Sequence, residues 1–216
     1  CNVTMDAAKS VGAEFKLNTT IPRLANIATR MQVLTGADVL IGGFIIGGSQ
    51  AKTVVVRARG PSLTAAGVPG ALQNPLLQLF SGQTVIAAND DWQQAQNAAT
   101  VQSSGFAPAD TRESAILITL GPGAYTAIVS GVGGTTGVGI VEVVEVDLPQ
   151  VPLINIATRG QVLTAADVMI GGFIIQGDAP QTVIVRARGP SLTAAGVPGA
   201  LQDPVRKLMP GAPGWM

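Results

Sequence analysis

Apolar and polar residues alternate along this chain in short runs, each closed by glycine, proline or asparagine after roughly eight to twelve residues. Thr53–Arg59 shows the pattern best: Val54, Val56 and Ala58 fall on one face, and Thr53, Val55, Arg57 and Arg59 on the other. Leu24–Thr29 and Val39–Ile46 precede it as mostly apolar runs. Leu76–Phe80 and Thr84–Ala88 flank the short turn Ser81-Gly82-Gln83, while Ala115–Leu120 and Ala124–Ser130 flank Gly121-Pro122-Gly123. Val138–Val146 completes a set of eight strands. Asp91–Thr111 is the longest irregular stretch, with a helical turn expected near Gln93–Ala98. Short strands separated by tight turns predict an all-β, antiparallel, jelly-roll-like β-sandwich.

The chain also repeats itself. Asn26–Pro75 aligns without gaps on Asn155–Pro204 at a constant offset of 129, and forty of the fifty pairs are identical. Arg57–Gln73, RARGPSLTAAGVPGALQ, recurs letter for letter as Arg186–Gln202. The expected organisation is an N-terminal extension (1–20), a complete module (21–147), a joint (148–152), the first half of a second copy (153–204) and a non-repeat tail (205–216). The tail, VRKLMPGAPGWM, keeps almost none of the alternation of Leu76–Ala88.

Composition narrows the chemistry. Apolar residues make up 47% and charged residues 12%, with 13 basic and 13 acidic side chains, so the chain should bury a core. No basic run marks a nucleic-acid partner, and Val39–Gly48, the longest apolar run, is too short for a transmembrane helix. With no histidine and one cysteine, imidazole-based catalysis, the usual zinc and copper sites and an internal disulfide are excluded. Carboxylates, hydroxyls and arginines remain. Cys1 matches the acylated cysteine of a bacterial lipoprotein or is an arbitrary start, and Asn2 and Asn18 stand in N-glycosylation patterns.

LQLFSGQTVIAANDDW, followed by ESAILITLGPGAYTAIVSGVGGTTGVGIVEV, resembles the bacterial pre-peptidase C-terminal (PPC-like) β-sandwich, with its Asn-Asp turn and GxYxxxVSG segment. LANIATR, GADVLIGGFIIGG and TVVVRARGPSL resemble repeats of large exported bacterial surface proteins. The resemblance spans about Ile21–Asp147 and Leu153–Pro204. It implies a β-sandwich, a secreted or cell-surface setting and a non-catalytic accessory role in adhesion, spacing or presentation. It also permits a structural calcium, with no cofactor required.

Two constellations are candidate sites. Asn89, Asp90 and Asp91 end a predicted hairpin, with Asp110 and Glu113 across the long loop; together they could supply oxygen ligands for calcium. Otherwise they cap turns, with Asp90 or Asp91 paired to Arg112. Arg57 and Arg59 share a strand face and recur as Arg186 and Arg188, as Asp38 recurs as Asp167. They form either an arginine fork for an anionic ligand or an ion pair with Asp38 that fixes strand register. Ser62 and Ser191 lie outside a GxSxG elbow and read as residues of a turn that caps a short helix. Glu142 and Glu145, three apart on one strand, should face opposite sides of the sheet, which is poor geometry for a glycosidase pair.

The expected function is a structural or interaction module with no catalysis of its own, its association driven by the partial repeat. The alternatives are an accessory module for a surface polysaccharide, and a small hydrolase using carboxylates or metal-bound water. A half-module exposes an apolar face and strand edges. It should pack on its own chain's first module, with residues 1–20 adding a strand, or exchange with a neighbouring chain as a swapped dimer or a head-to-tail fibre.

Overall fold

The computed structural model describes residues 21–147 and 150–210. Cys1, both glycosylation patterns and the strand expected from residues 1–20 lie outside that range. The first module contains β1 (Arg23–Val33), β2 (Leu40–Ile46), β3 (Lys52–Arg59), α1 (Pro61–Ala65), β4 (Pro75–Ser81), β5 (Thr84–Asn89), α2 (Ala98–Ser103), β6 (Ser114–Leu120), β7 (Gly123–Gly131) and β8 (Gly137–Glu145). All eight predicted strands are present, and β1 continues past Thr29 to Val33. The single helical turn expected near Gln93–Ala98 is found as two, one at each end of that stretch: a 3-10 turn at Trp92–Gln94 and α2.

The second copy contributes β9 (Leu153–Arg159), β10 (Ile170–Gln176) and α3 (Pro190–Ala194). The near-identity of Thr182–Arg188 with Thr53–Arg59 predicts a third strand, the match of β3. Thr182–Arg188 instead lies outside any sheet. Its Ile184 is 84% exposed, whereas the matching Val55 is fully buried.

Strand pairing is antiparallel throughout the ladders. The order is β5-β4-β7-β2-β9-β1-β8-β3-β6, with β10 also on β1. A single pair, Leu24 with Leu153, links β9 to β1. The ladder therefore divides into two five-stranded layers, β5-β4-β7-β2-β9 and β10-β1-β8-β3-β6. Their inner faces meet in one core that includes Phe44, Leu77, Leu79 and Val129 from the first layer and Ile27, Val54, Val56 and Val143 from the second. This is the predicted all-β sandwich.

Two connections differ in kind. Gly82, at a φ of 58°, turns β4 directly onto its partner β5. Gly121-Pro122 joins strands that do not pair: β6 lies against β3, and β7 lies between β4 and β2. That turn carries the chain from one layer to the other.

The outer face of the β8 layer is covered as well, so β8 is buried along nearly its whole length. Leu63 and Val68 of the α1 region pack on Ala28, Val138 and Ile140. Trp92 and Val101 of the long excursion pack on Ala115 and Leu117. The joint between the copies is part of the core too, since Val151 and Leu153 are buried in it.

Candidate functional site

Beneath those outer covers lies a cluster of charged side chains. Strand alternation turns Arg57 and Arg59 away from the sandwich core, and register sets Arg57 opposite Glu142 of β8. Arg57 Nη2 lies 2.7 Å from Glu142 Oε2, and Arg59 Nη1 lies 3.7 Å from the same oxygen. The contact is an ion pair without hydrogen-bond alignment, and Oε1 of the fully buried Glu142 has no donor. Arg57 Nη1 donates to the Phe106 carbonyl at 2.9 Å, tying the excursion to the sheet.

The carboxylate partner of these arginines is Glu142, not Asp38. Asp38 stands exposed on a short turn between β1 and β2, where Gln161 of the second copy donates to its Oδ1 at 2.8 Å. In the second copy, Arg188 reaches only Ser191, and Asp167 and Arg186 are exposed. The repeated arginines thus have an acidic partner in the first copy, where β8 supplies Glu142.

The five oxygen-bearing residues considered for calcium are dispersed. Glu113 is fully buried beside α1 and accepts through Oε1 from Gly60 N at 2.9 Å, Ser62 N at 2.9 Å and Ser62 Oγ at 2.6 Å. This carboxylate, rather than the Ser62 hydroxyl, satisfies the start of the helix. Asn89 Oδ1 accepts from Ala115 N at 2.9 Å, Asp90 Oδ1 from Asp91 N at 3.0 Å, and Asp91 Oδ2 from Gln94 Nε2 at 2.8 Å. Asp110 pairs with Arg112 at 2.9 Å, the arginine expected on Asp90 or Asp91. Hydrogen bonds from the Arg112 guanidinium, then from its backbone N–H, hold the Asp110 carboxyl below the usual carboxylate range. Among the described residues no group of three or more acidic, histidine or cysteine side chains is placed to hold a metal ion.

Glu142 and Glu145 do separate onto opposite faces. Glu145 meets Arg23 Nε and lies 3.1 Å from Lys52 Nζ, and Lys52 also donates to the Asp147 carbonyl at 2.7 Å. This second network borders a cleft of about 320 Å³, lined by Arg23, Asn26, Phe106, Glu145 and, from the second copy, Ile174 and Gln176. Arg23 Nη2 donates to Gln176 Oε1 at 3.0 Å, while Arg23 Nη1 and Asn26 Oδ1 are buried without a hydrogen-bond partner. Sequence reasoning passed over Lys52 and Arg23. The signal was available in Lys52, because its match in the second copy is Gln181, one of the ten positions at which the copies differ.

Trp92, the one tryptophan of the complete module, is 5% exposed and belongs to the packed cover of β6. Ser62 donates to a carboxylate that already accepts two backbone bonds, and its own oxygen faces Arg59 at 3.3 Å. The polar groups of the cluster therefore contact mainly one another, while Glu142 Oε1 and Glu113 Oε2 are buried without a donor.

No family model matches the chain, and no curated protein matches it. Among solved structures it is similar to the pre-peptidase C-terminal domain of a collagenase from Bacillus anthracis. That likeness has 13% identity and a TM-score of 0.33, and covers 54% of this chain and 86% of that domain. Among the described residues no helix is long and apolar enough to cross a membrane.

Proposed function

We propose that the chain is a structural and interaction module of an exported bacterial protein, with no catalysis of its own, working by strand pairing between repeats. The observation that carries this reading is the seating of the second copy: β9 extends one layer along β2, and β10 extends the other along β1. Strand addition of this kind gives affinity through backbone hydrogen bonds and needs no dedicated ligand pocket. The internal pairing of Glu142, Glu113 and Asp110 supports it, because each carboxylate already has a partner. The exported setting follows from the motif resemblance. The test is a turnover screen of the full chain against peptide, ester and glycoside substrates, with and without calcium. No turnover is expected; any turnover lost on Glu113→Gln or Glu142→Gln would overturn the reading.

A further inference from the structure

The contact between the two copies has a symmetry that neither copy has alone. In one ladder Ile27 faces Phe173, Ala28 faces Gly172, Thr29 faces Gly171 and Arg30 faces Ile170. In the other, Ile156 faces Phe44, Ala157 faces Gly43, Thr158 faces Gly42 and Arg159 faces Ile41. Adding 129 to each first-copy number and subtracting 129 from each second-copy number turns one ladder into the other. The register irregularity recurs too, between Leu24 and Asn26 in the first ladder and between Ile45 and Ile46, opposite Leu153 and Asn155, in the second. Thr29 and Thr158, matched residues of the two copies, meet Oγ1 to Oγ1 at 2.7 Å. Two equivalent atoms touching is the mark of a two-fold axis, here local and passing between these threonines.

Several matched pairs break the symmetry, among them Leu40 with Met169, Gly47 with Gln176 and Met31 with Gly160. Met31 of the first copy corresponds to Gly160 of the second. Met31 is fully buried in the core, and a Cβ at position 160 would stand 1.9 Å from its Cε and 2.5 Å from its Sδ. The methionine of one copy occupies the space that a side chain on the other would need.

We propose that the β1–β2 edge is a docking surface for a second copy of the same repeat, and that Met31 set against Gly160 selects a copy bearing glycine at that position. This names the partner in the strand-pairing reading above and rests on it. Two copies that both carry methionine would place two long side chains in one volume, which a packed core resists. The first module therefore rejects its own like and accepts the second copy. A two-fold contact is also closed, because both edges are consumed in forming it, so this surface makes pairs and not the head-to-tail fibre considered from sequence.

The test uses the full chain with Cys1→Ser, Thr29→Cys and Thr158→Cys under mild oxidation. An intrachain disulfide at monomer mass is expected. Gly160→Met in that background should cut its yield roughly tenfold or more. Exchanging the residues, Met31→Gly with Gly160→Met, should restore it, because the local axis maps one arrangement onto the other. Hydrogen exchange in Ile170–Gln176, measured without the cysteines, reads the same release independently of cross-linking. Unchanged yield and exchange in Gly160→Met would overturn the selectivity, as would failure of the exchanged variant to restore them while circular dichroism shows the sandwich intact. Disulfides that form only between chains would overturn the assignment of the surface to the chain's own second copy. Turnover in the substrate screen with the disulfide intact would instead sink the non-catalytic reading and leave the docking surface standing.

Discussion

Replacing Glu113 with alanine would strip the acceptor from two backbone N–H groups and the Ser62 hydroxyl at a buried helix start. Buried donors left unpaired are costly, so Glu113→Ala is expected to lower stability by about 2–4 kcal/mol, read from the urea midpoint, and Glu113→Gln by less. Arg57→Ala should cost about 3 kcal/mol, because it leaves the Glu142 carboxylate with only Arg59 at 3.7 Å. Removing Glu142 as well should recover part of that loss in a double-mutant cycle; strict additivity would show that the pair does not couple. Asp110 behaves differently. Its carboxyl is held below the usual range by Arg112, so its contribution is present above the free-chain value of about 3.9 and is lost as pH falls through the lower folded value. Arg112 is half exposed and the pair sits in solvent. Asp110→Asn should therefore lower the melting temperature only slightly at pH 7, and the difference from the parent chain should disappear as pH falls through the folded value.

At the scale of the element, GPSLTAAGVPGAL folds twice in nearly the same way. α1 and α3 both begin at Pro after a glycine, Arg59 and Arg188 each reach the serine three residues on at 3.3 Å, and Gln73 and Gln202 each fold back on a carbonyl. A Cβ on Gly60 would stand 2.0 Å from the Leu72 carbonyl oxygen, and one on Gly189 1.8 Å from that of Leu201. The surroundings differ, since Leu72 is fully buried and Leu201 is largely exposed. Gly60→Ala is expected to cost about 3 kcal/mol in thermal unfolding and Gly189→Ala much less, because only the exposed copy can shift to relieve the clash. Local features of this kind were legible from the sequence: the alternation of Val54, Val56 and Ala58, the turn at Gly82 and the short helix. Partnerships set by register were not. Glu142 became the partner of Arg57 only through the pairing of β3 with β8, and Asp38 was the nearer acid in sequence. The supposed calcium ligands looked clustered for the same reason: Asp110 and Glu113 are close along the chain, yet Glu113 turns inward to α1 while Asp110 faces water. Likewise, the third strand of the second copy had the right alternation and lacked the β8 and β6 edges that hold β3.

Across the whole molecule the second copy behaves as part of the first module's core. Leu153 is 1% exposed among residues of both layers. Leu153→Ala should therefore lower the stability of the entire sandwich by about 2–4 kcal/mol in a single cooperative transition. If the second copy were a loose appendage, that substitution would leave the main transition where it was. The identity of Asn26–Arg30 and Asn155–Arg159 has a further effect, on how the chain reaches this state. β8 pairs with Asn26–Arg30 in the finished structure, yet five identical residues follow it shortly after the joint. A chain refolding from denaturant can zip β8 onto the wrong pentapeptide. Position 160 would then put glycine where Met31 fills the core, leaving a void costly enough for the error to be disfavoured at equilibrium but able to persist as a trap. A nascent chain meets this competition later, because β1 is already outside the ribosome and β8 emerges ahead of the competing strand, so synthesis order favours the correct pairing in a way that dilution from urea cannot.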